Sequence, residues 1–311
     1  MKKVSIILPS YNHVFFLKDR LDSIINQTFN DWELIIIDDK STDGSSEVLK
    51  EFVNKYSSKI AHFIINIKNS GSGYKSWKKG IELAQSKYIW IAETDDYSGL
   101  TFLEEQIKIL DQNNSIALTF CGSNYVDSKN NFLYNTDKRV LELEVTENKS
   151  KIFNEDVFLE KMPFSTYITN GSSVVFRKPK IEIPNIIFEN KQSSDIFLWT
   201  FLVKGNSFAF LNKKLNFFRR HNDSTTTKMS ILSQRAIYKE KIKYLNYFNL
   251  THKFKEFTRH YIKFYVNKNK NEMFNFSLIS KVESVNFIRI NYFFLLVQFY
   301  AKKLINKVWK V

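Results

Sequence analysis

The chain has 311 residues, of which 43% are hydrophobic and 25% are charged. This composition excludes an intrinsically disordered chain, because enough apolar side chains are present to build a packed core. The single cysteine, Cys121, excludes an internal disulfide framework and is typical of a reducing compartment. The net charge of +14 lies almost entirely after Ser224, where 17 Lys and Arg stand against 4 Asp and Glu, compared with 29 against 28 up to that residue.

The first two thirds of the chain alternate short apolar runs with helical patterns. In chain order these patterns predict a strand at Val4–Leu8, a helix at Val14–Gln27, a strand at Leu34–Ile37, a helix at Ser45–Tyr56, a strand at Ile60–Ile67, a helix at Lys75–Gln85, a strand at Tyr88–Ala92, a helix at Leu100–Gln112 and a strand at Ile116–Phe120. Strands that alternate with helices form a mainly parallel sheet covered on both faces. We therefore expect an α/β domain, followed by a smaller C-terminal part.

The C-terminal region, residues 226–311, is basic and rich in Phe and Tyr. Helical spacing of its apolar residues predicts amphipathic helices through Phe254, Phe257, Tyr261 and Phe264, and then through Phe287, Ile290, Phe294, Val297, Ala301, Leu304 and Val308. The run Tyr292–Val297 is far shorter than the roughly 20 apolar residues that a membrane-spanning helix needs. The short run Val4–Leu8, which ends at Pro9, does not fit a secretory signal, so we expect a cytoplasmic protein.

Three interpretations of this basic aromatic region stay open. Its apolar stripe packs on the rest of the chain or on a second subunit of a homodimer, with the lysines in solvent. Alternatively, it docks on anionic lipid through the basic and aromatic residues Lys302, Lys303, Lys307, Trp309 and Lys310. Nucleic acid is the least favoured partner, because no recognised nucleic-acid motif is present.

Acidic residues lie where strands are expected to end. They are Asp38 and Asp39 after Leu34–Ile37, Asp95 and Asp96 after Tyr88–Ala92, and Asp195 within Ser193–Leu198. Ligands of open parallel sheets bind outside the carboxyl ends of the strands. Carboxylates gathered there without balancing lysines indicate a divalent cation, Mg²⁺ or Mn²⁺, whose remaining ligands are phosphate oxygens of a nucleotide or another phosphate ester.

Other uses of a phosphate ligand fit less well. The turn Pro9–Asn12 follows the first strand in place of Gly-x-Gly-x-x-Gly, which disfavours a dinucleotide site, and no P-loop is present. A phosphoacceptor signalling domain, a sugar nucleotidyltransferase and a non-catalytic protein that binds nucleotide or membrane stay open as alternatives. Each acid also has a purely structural interpretation as a helix cap or turn residue.

An ordered set of segments resembles the family 2 glycosyltransferases of the GT-A fold. The segments are Val4–Asn12, Gln27–Asp39 with Ser41–Gly44, Thr94–Asp96, Asn170–Arg177, Ser194–Asp195 ahead of Phe197–Trp199, and Phe218–His221 followed by Ser224. The resemblance covers residues 4–225. It implies a GT-A domain over residues 1–225, with a nucleotide-sugar half at 1–115 and an acceptor half at 116–225, followed by the helical appendage.

The resemblance also implies roles for residues that match the family's segments. Pro9, Tyr11 and Asn12 border the nucleobase and ribose, Asp39 accepts a hydrogen bond from a uracil-type base, and Asp95 contacts ribose or sugar. Asp96 coordinates the metal. His221 lies near the phosphates and the metal, where Arg219 or Arg220 assists. Asp195 is the general base, although Ser194 stands where the family usually has Glu.

The function implied is that of an inverting hexosyltransferase that depends on Mn²⁺ or Mg²⁺. Its donor is a nucleotide-sugar, most simply a UDP-sugar, and its acceptor is a hydroxyl of a glycan or lipid-linked molecule. The resemblance places such an enzyme in bacterial surface polysaccharide synthesis, peripheral at the inner face of the plasma membrane.

Overall fold

The structure, a computed structural model, describes residues 2–221, 231–269 and 285–308. The chain forms two compact units. The first consists of Met1–Met162 and Thr166–Thr227, and the second of Pro163–Ser165 and Lys228–Val311. Ser224, Trp309 and Lys310 lie outside the described residues.

The first unit begins with four parallel strands joined by helices. The elements are β1 (Val4–Ser10), α1 (Val14–Ile25), β2 (Trp32–Asp38), α2 (Ser45–Lys55), β3 (Ile60–Ile65), α3 (Gly73–Leu83) and β4 (Tyr88–Ile91). Their order in the sheet is β3-β2-β1-β4, and each neighbouring pair is parallel. The strands and helices that the sequence predicts for this half are therefore confirmed, within a few residues at each end.

The rest of the unit extends the sheet and makes it mixed. The elements are β5 (Tyr97–Ser98), α4 (Phe102–Gln112), β6 (Ile116–Val126), β7 (Phe132–Asn135), α5 (Asp137–Val140), β8 (Ser150–Phe153), α6 (Glu155–Lys161), β9 (Val174–Arg177), α7 (Ser194–Val203) and β10 (Ser207–Arg219). Strand β9 lies antiparallel between β4 and β6, and β6 pairs parallel with β10. The expected α/β fold is confirmed, but parallel pairing dominates only its first half.

Asp195 is not at the end of a strand. It lies in the first turn of α7, after a long irregular segment that follows β9. The expectation that three acidic clusters each end a strand is therefore wrong for this residue. The apolar run Phe197–Val203 belongs to a helix that is buried over most of its surface, and short apolar runs of this kind do not distinguish a buried helix from a strand.

The central strands are buried on both faces, which fixes the sheet between two layers of helices. Trp90 of β4 packs against Phe102 with ring centroids 4.6 Å apart, and its indole nitrogen donates to the carbonyl of Ser172 at 2.9 Å. On the other face, Gly80 of α3 lies against Ile7, and any Cβ at position 80 would overlap that side chain. Helix α3 thus approaches β1 closely, which holds the loop before α3 at the carboxyl edge of the sheet.

The second unit is helical. It contains α8 (Ile231–Tyr247), α9 (Phe254–Tyr261), which continues into a π-helical turn at Ile262–Val266, and α10 (Val285–Val308). The helices predicted for the C-terminal region are therefore confirmed. Their core is aromatic, with Tyr261 stacked on Phe257 at 6.1 Å and on Tyr265 at 5.2 Å. Among the described helices, none is both long and apolar enough to cross a membrane.

A buried lysine should make the stability of this unit depend on pH. Burial lowers the pKa of Lys241 to about 8, from an ordinary value of 10.5, where its ammonium lies over the rings of Phe164 and Tyr238. The unfolded chain then holds more protons than the folded chain between these values, so the free energy of unfolding rises with pH in that window. Between pH 7 and pH 10, we expect the free energy of unfolding, measured in urea, to rise by about 2 kcal/mol more for the wild-type protein than for Lys241→Met. Equal pH slopes for the two proteins would contradict this.

Candidate active site

The turn after β1 is tied to the loop after β2. Asn12 has a left-handed backbone with φ of 52°, its amide nitrogen donates to the Ser41 hydroxyl at 3.0 Å, and its side-chain oxygen accepts from the Thr42 nitrogen at 2.8 Å. The Pro9 carbonyl accepts from the Thr94 hydroxyl at 3.2 Å. Tyr11 is 45% exposed at this edge. Of the three residues assigned to the nucleobase and ribose, Tyr11 and Asn12 are therefore exposed, whereas Pro9 is half-buried.

Asp39 holds a loop in place. Its carboxylate accepts hydrogen bonds from the Asn66 side chain at 2.7 Å, from the Ser70 nitrogen at 2.9 Å and from the Ser70 hydroxyl at 2.7 Å. The neighbouring Asp38 is fully buried and accepts from the hydroxyls of Ser41 and Ser46. These bonds fix the loop from Asn69 to Gly73, which precedes α3, beside the turn after β1.

Asp95 and Asp96, which follow β4, have different surroundings. Asp96 is fully buried and accepts from the Asn170 side chain at 2.9 Å and from the Arg219 nitrogen at 3.0 Å. The Asp95 side chain is 20% exposed, and its Oδ2 lies 3.2 Å from Nε2 of His221. Asp96 therefore joins β4, β10 and the loop before β9, whereas the Asp95 carboxylate faces the site.

The pKa values of the Asp95 and Asp96 carboxyl groups are shifted in opposite directions. Burial raises the pKa of Asp96 to about 6, and the neighbouring negative charge of Asp95 adds to this effect. Burial acts in the same direction on Asp95, but the hydrogen bond with His221 and the nearby His13 outweigh it and hold the pKa of Asp95 below its ordinary value. Asp95 is thus the carboxylate better prepared to carry a negative charge into the site.

His13 joins Asp95 and His221 in a cluster with metal-binding chemistry. One ring nitrogen of each histidine and one Asp95 oxygen all lie within 4.8 Å of one another. The ring nitrogens and the carboxylate oxygen suit a divalent transition-metal ion. No sequence spacing pointed to His13, because His13 and His221 are brought together only by the ends of β1 and β10. The one available signal was its position directly after the Pro9–Asn12 turn.

Two buried arginines, Arg20 and Arg219, place positive charge near these acids. Burial lowers the pKa of Arg20 to about 10, although the charges of Asp96, Asp95 and Glu93 oppose this, and its Nε donates to the Glu93 carbonyl at 2.8 Å. Arg219 donates to the Asp95 carbonyl at 2.7 Å and forms an ion pair with Asp19 at 2.6 Å. Both side chains are fully buried. Arg219 is therefore a framework residue of the site.

Glu93 connects the site electrostatically to Asp195. Burial raises the pKa of Glu93 well above its ordinary value, and the charges of Asp95, Asp96 and Asp195 raise it further. The carboxyl groups of Glu93, Asp95, Asp96 and Asp195 therefore interact electrostatically in this part of the protein. The sequence analysis did not single out Glu93, because one Glu ahead of an Asp pair has no distinguishing spacing.

Asp195 lies beside an aromatic wall. The Tyr74 hydroxyl donates to Oδ1 of Asp195 at 3.4 Å, and the Tyr74 ring meets that of Trp77 at 5.1 Å. Trp77 in turn lies 5.9 Å from Trp199. Ser194 is buried and bonds to the backbone of Asn190, donating at 2.8 Å and accepting at 3.1 Å. Ser194 therefore anchors the start of α7, while Asp195 is placed next to the wall.

Gly171 is required where the loop before β9 passes this wall. A Cβ at that position would lie 2.7 Å from Cη2 of Trp77 and 3.8 Å from Oε2 of Glu93. No larger residue fits without displacing the indole. The close approach leaves the neighbouring Asn170 placed so that its side chain donates to Asp96 at 2.9 Å.

Fold and site together define a glycosyltransferase of the GT-A type, and comparison with known proteins supports this class. The profile of glycosyl transferase family 2 matches residues 5–182. The chain belongs to this family, and the family and GT-A fold expected from the sequence are thereby confirmed.

Curated relatives share moderate identity with the chain. An uncharacterized glycosyltransferase of Rickettsia bellii is 29% identical over 72% of the chain and 30% of its own length. The putative teichuronic acid biosynthesis glycosyltransferase TuaG of Bacillus subtilis is 34% identical over 38% of the chain and 46% of its own length. The chain thus spans less than half of each of these relatives.

Among solved structures, the chain is similar to residues 1–349 of S. aureus TarS. The TM-score is 0.63 at 16% identity, covering 96% of the chain and 92% of that fragment. The same fragment in complex with UDP-GlcNAc also gives 0.63, at 14% identity and the same coverage. The mannosyltransferase PcManGT from Pyrobaculum calidifontis, in complex with GDP-Man and Mn²⁺, gives 0.52 at 14% identity over 78% of the chain and 62% of that protein. At these identities the likeness shows the fold.

Proposed function

We propose that the protein transfers a hexose from a UDP-sugar to a hydroxyl of a glycan or lipid-linked acceptor, with inversion at the anomeric carbon. One observation carries the proposal. The side chains that could hold a divalent cation, those of His13, Asp95 and His221, lie in one group, and Glu93 interacts electrostatically with both Asp95 of that group and the separate carboxylate Asp195. TarS, whose complexes contain UDP and UDP-GlcNAc, has the same fold and supports the choice of donor.

The metal is assigned to Asp95 and His221. The sequence assigned coordination to Asp96 and sugar contact to Asp95, but both Asp96 oxygens accept hydrogen bonds from the fold and its side chain has no exposed surface. Asp95 and His221 offer an oxygen and a nitrogen that fit Mn²⁺ or Mg²⁺. A bound divalent ion would stabilise the negative charge that develops on the departing diphosphate.

The nucleotide is placed along the edge formed by the turn after β1. Tyr11 offers an exposed ring for contact with the base, and Pro9 and Asn12 shape the turn beneath it. Asp39 fixes the loop before α3 and, on the proposed assignment, also accepts a hydrogen bond from the uracil. Residues 1–115 then bind the donor and residues 116–225 bind the acceptor.

Asp195 is assigned the role of general base. A sugar hydroxyl is a poor nucleophile at neutral pH, so a carboxylate within hydrogen-bond reach takes its proton as the new bond forms. Attack from the side opposite the leaving diphosphate inverts the anomeric carbon, and the carboxylate needs no covalent bond to the sugar. Of the aromatic side chains near Asp195, Trp77 and Trp199 are buried, so the half-buried Tyr74 is the one proposed to contact the acceptor sugar.

The stereochemistry of the product tests this proposal. With a panel of α-linked UDP-hexoses and a carbohydrate acceptor, we expect a β-linked product, identified by proton NMR from its anomeric coupling constant. An α-linked product from the same donors would contradict direct displacement by the acceptor. Release of UDP without any new glycosidic bond would contradict transfer as the activity.

The C-terminal unit is proposed to dock on the cytoplasmic face of a bacterial plasma membrane. Helix α10 packs within its unit through Tyr292, Leu295 and Leu296. Its opposite side exposes the apolar residues Phe293, Phe294, Val297, Leu304 and Ile305. Lys302 is exposed on the same helix, and an apolar face with a nearby cation fits a surface of anionic lipid, whereas the Lys303 ammonium donates to the Asn267 side chain at 2.9 Å. The side chains of Phe287, Ile290 and Lys307 lie outside the described residues.

This docking surface serves the proposed role in surface polysaccharide synthesis, because a lipid-linked acceptor lies at the membrane. Two relatives that act on or build polymers, TuaG and the poly(ribitol-phosphate) beta-glucosyltransferase of Bacillus spizizenii, support a polymeric acceptor; the latter is 37% identical over 31% of the chain and 15% of its own length.

Charge placed on the apolar face of α10 should release the protein from lipid. We expect the wild type to float with vesicles that contain phosphatidylglycerol, and Val297→Asp with Leu304→Asp to reduce the bound fraction about tenfold, since two aliphatic contacts are lost. Ser57→Asp with Ser58→Asp adds the same charge at exposed positions of the first unit and is the control. Unchanged flotation of the α10 variant would instead favour packing or a second copy of the chain.

A further inference from the structure

His13 is held in a fixed position beside the proposed metal ligands. Its backbone nitrogen donates to the Ser45 hydroxyl at 3.1 Å at the start of α1. Its ring lies 6.0 Å from that of Phe16 and 5.9 Å from that of His221, and Phe16 itself packs on His221 at 4.8 Å. The imidazole is therefore positioned by the fold before any ligand arrives.

The hydrogen bonds of His13 select the tautomer that binds a cation. Nδ1 lies 2.6 Å from the Thr94 hydroxyl, and that hydroxyl donates its single proton to the Pro9 carbonyl at 3.2 Å. With the Thr94 proton directed at Pro9, Nδ1 donates to Thr94, and in the neutral imidazole Nε2 is then the unprotonated nitrogen that can coordinate. A ring N–H directed at an oxygen acceptor is the usual second contact of a metal-binding histidine.

The spacing of the cluster fits a single ion. Atoms that coordinate a divalent ion at about 2.1 Å lie at most about 4.2 Å apart. The three candidate atoms of His13, Asp95 and His221 all lie within 4.8 Å of one another, and three ligands at about 2.1 Å from one ion lie roughly 3.0 to 3.6 Å apart, so side-chain movements of about 1 Å close the site.

We propose that His13 is a third protein ligand of the divalent cation, beside Asp95 and His221. This inference rests on the proposed function and adds one ligand to its metal site. Mg²⁺ takes oxygen ligands and keeps much of its water, whereas imidazole nitrogens are better ligands for transition-metal ions. Mn²⁺ is therefore the ion with which the role of His13 is best measured.

Pulsed electron paramagnetic resonance of Mn²⁺ bound to the full chain with UDP tests the ligand set directly. We expect nitrogen couplings from two imidazoles in the wild type and from one in His13→Asn. Calorimetry should show Mn²⁺ affinity about tenfold lower in His13→Asn, with a smaller change for Mg²⁺ and unchanged UDP affinity in the absence of metal. His252→Gln, at an exposed histidine of the second unit, is the control and should match the wild type.

The wild-type spectrum alone decides the question if His13→Asn does not fold. Couplings from only one nitrogen in the wild type, or unchanged Mn²⁺ affinity in a folded His13→Asn, would overturn the role of His13 while leaving the glycosyltransferase proposal intact. Absence of any Mn²⁺ binding with UDP in the wild type would overturn both.

Discussion

Asp195→Asn is expected to abolish sugar transfer while leaving the affinity for UDP within about threefold. The substitution keeps the shape of the side chain but removes its ability to accept the proton of the acceptor hydroxyl, and general-base catalysis contributes roughly a hundredfold to ten-thousandfold in rate. Initial rates of transfer and calorimetric titration of UDP measure the two quantities separately. The loss should appear in kcat, because the nucleotide is bound by the other side of the site.

A matched control is available in the same unit. Asp156 lies exposed in the first turn of α6, as Asp195 lies in the first turn of α7. Asp156→Asn should therefore reproduce any general effect of removing an acid from a helix start. Parallel loss of rate and UDP affinity in Asp195→Asn would assign Asp195 to binding or structure.

Asp95→Asn is expected to remove the increase in UDP affinity that Mn²⁺ provides. The carboxamide is neutral and is a poor metal ligand, and the carboxylate that it replaces faces the site with a lowered pKa. The melting temperature should stay within a few degrees of the wild type, since the Asp95 side chain is partly exposed. Calorimetric titrations of UDP with and without Mn²⁺ measure the effect.

Asp96→Asn separates this assignment from the one made from the sequence. The Asn170 amide and the Arg219 nitrogen both donate to the Asp96 carboxylate. In Asp96→Asn the new NH₂ group would face one of these donors without an acceptor, so we expect the free energy of unfolding to fall by about 1–3 kcal/mol. A stable Asp96→Asn protein that loses metal-dependent binding, together with an unaffected Asp95→Asn protein, would restore Asp96 as the ligand.

The first four strands could be predicted because each is a short apolar run with a helix after it. The antiparallel insertion of β9 between β4 and β6 could not, because pairing between strands so distant in the chain depends on tertiary contacts. Asp195 was misplaced for a related reason: the apolar run that follows it fits a buried helix and a buried strand equally well.

The site shows the same division between local pattern and tertiary geometry. The turn after β1 and the Asp95–Asp96 pair are visible in the sequence, since parallel strands bring their carboxyl ends to one edge. Which of two adjacent acids faces the site depends on Asn170 and Arg219, which lie far away in the chain. His13 is likewise recognisable only once the fold brings the segments that follow β1 and β10 close together.

The most direct test of the central claim is a calorimetric titration of the full chain with UDP, in the presence and absence of Mn²⁺ and with GDP as the control nucleotide. A metal-assisted UDP-sugar transferase predicts that UDP binds, that Mn²⁺ strengthens this binding at least tenfold, and that GDP binds more weakly. Failure of both nucleotides to bind, or binding of UDP that Mn²⁺ leaves unchanged, would contradict the claim.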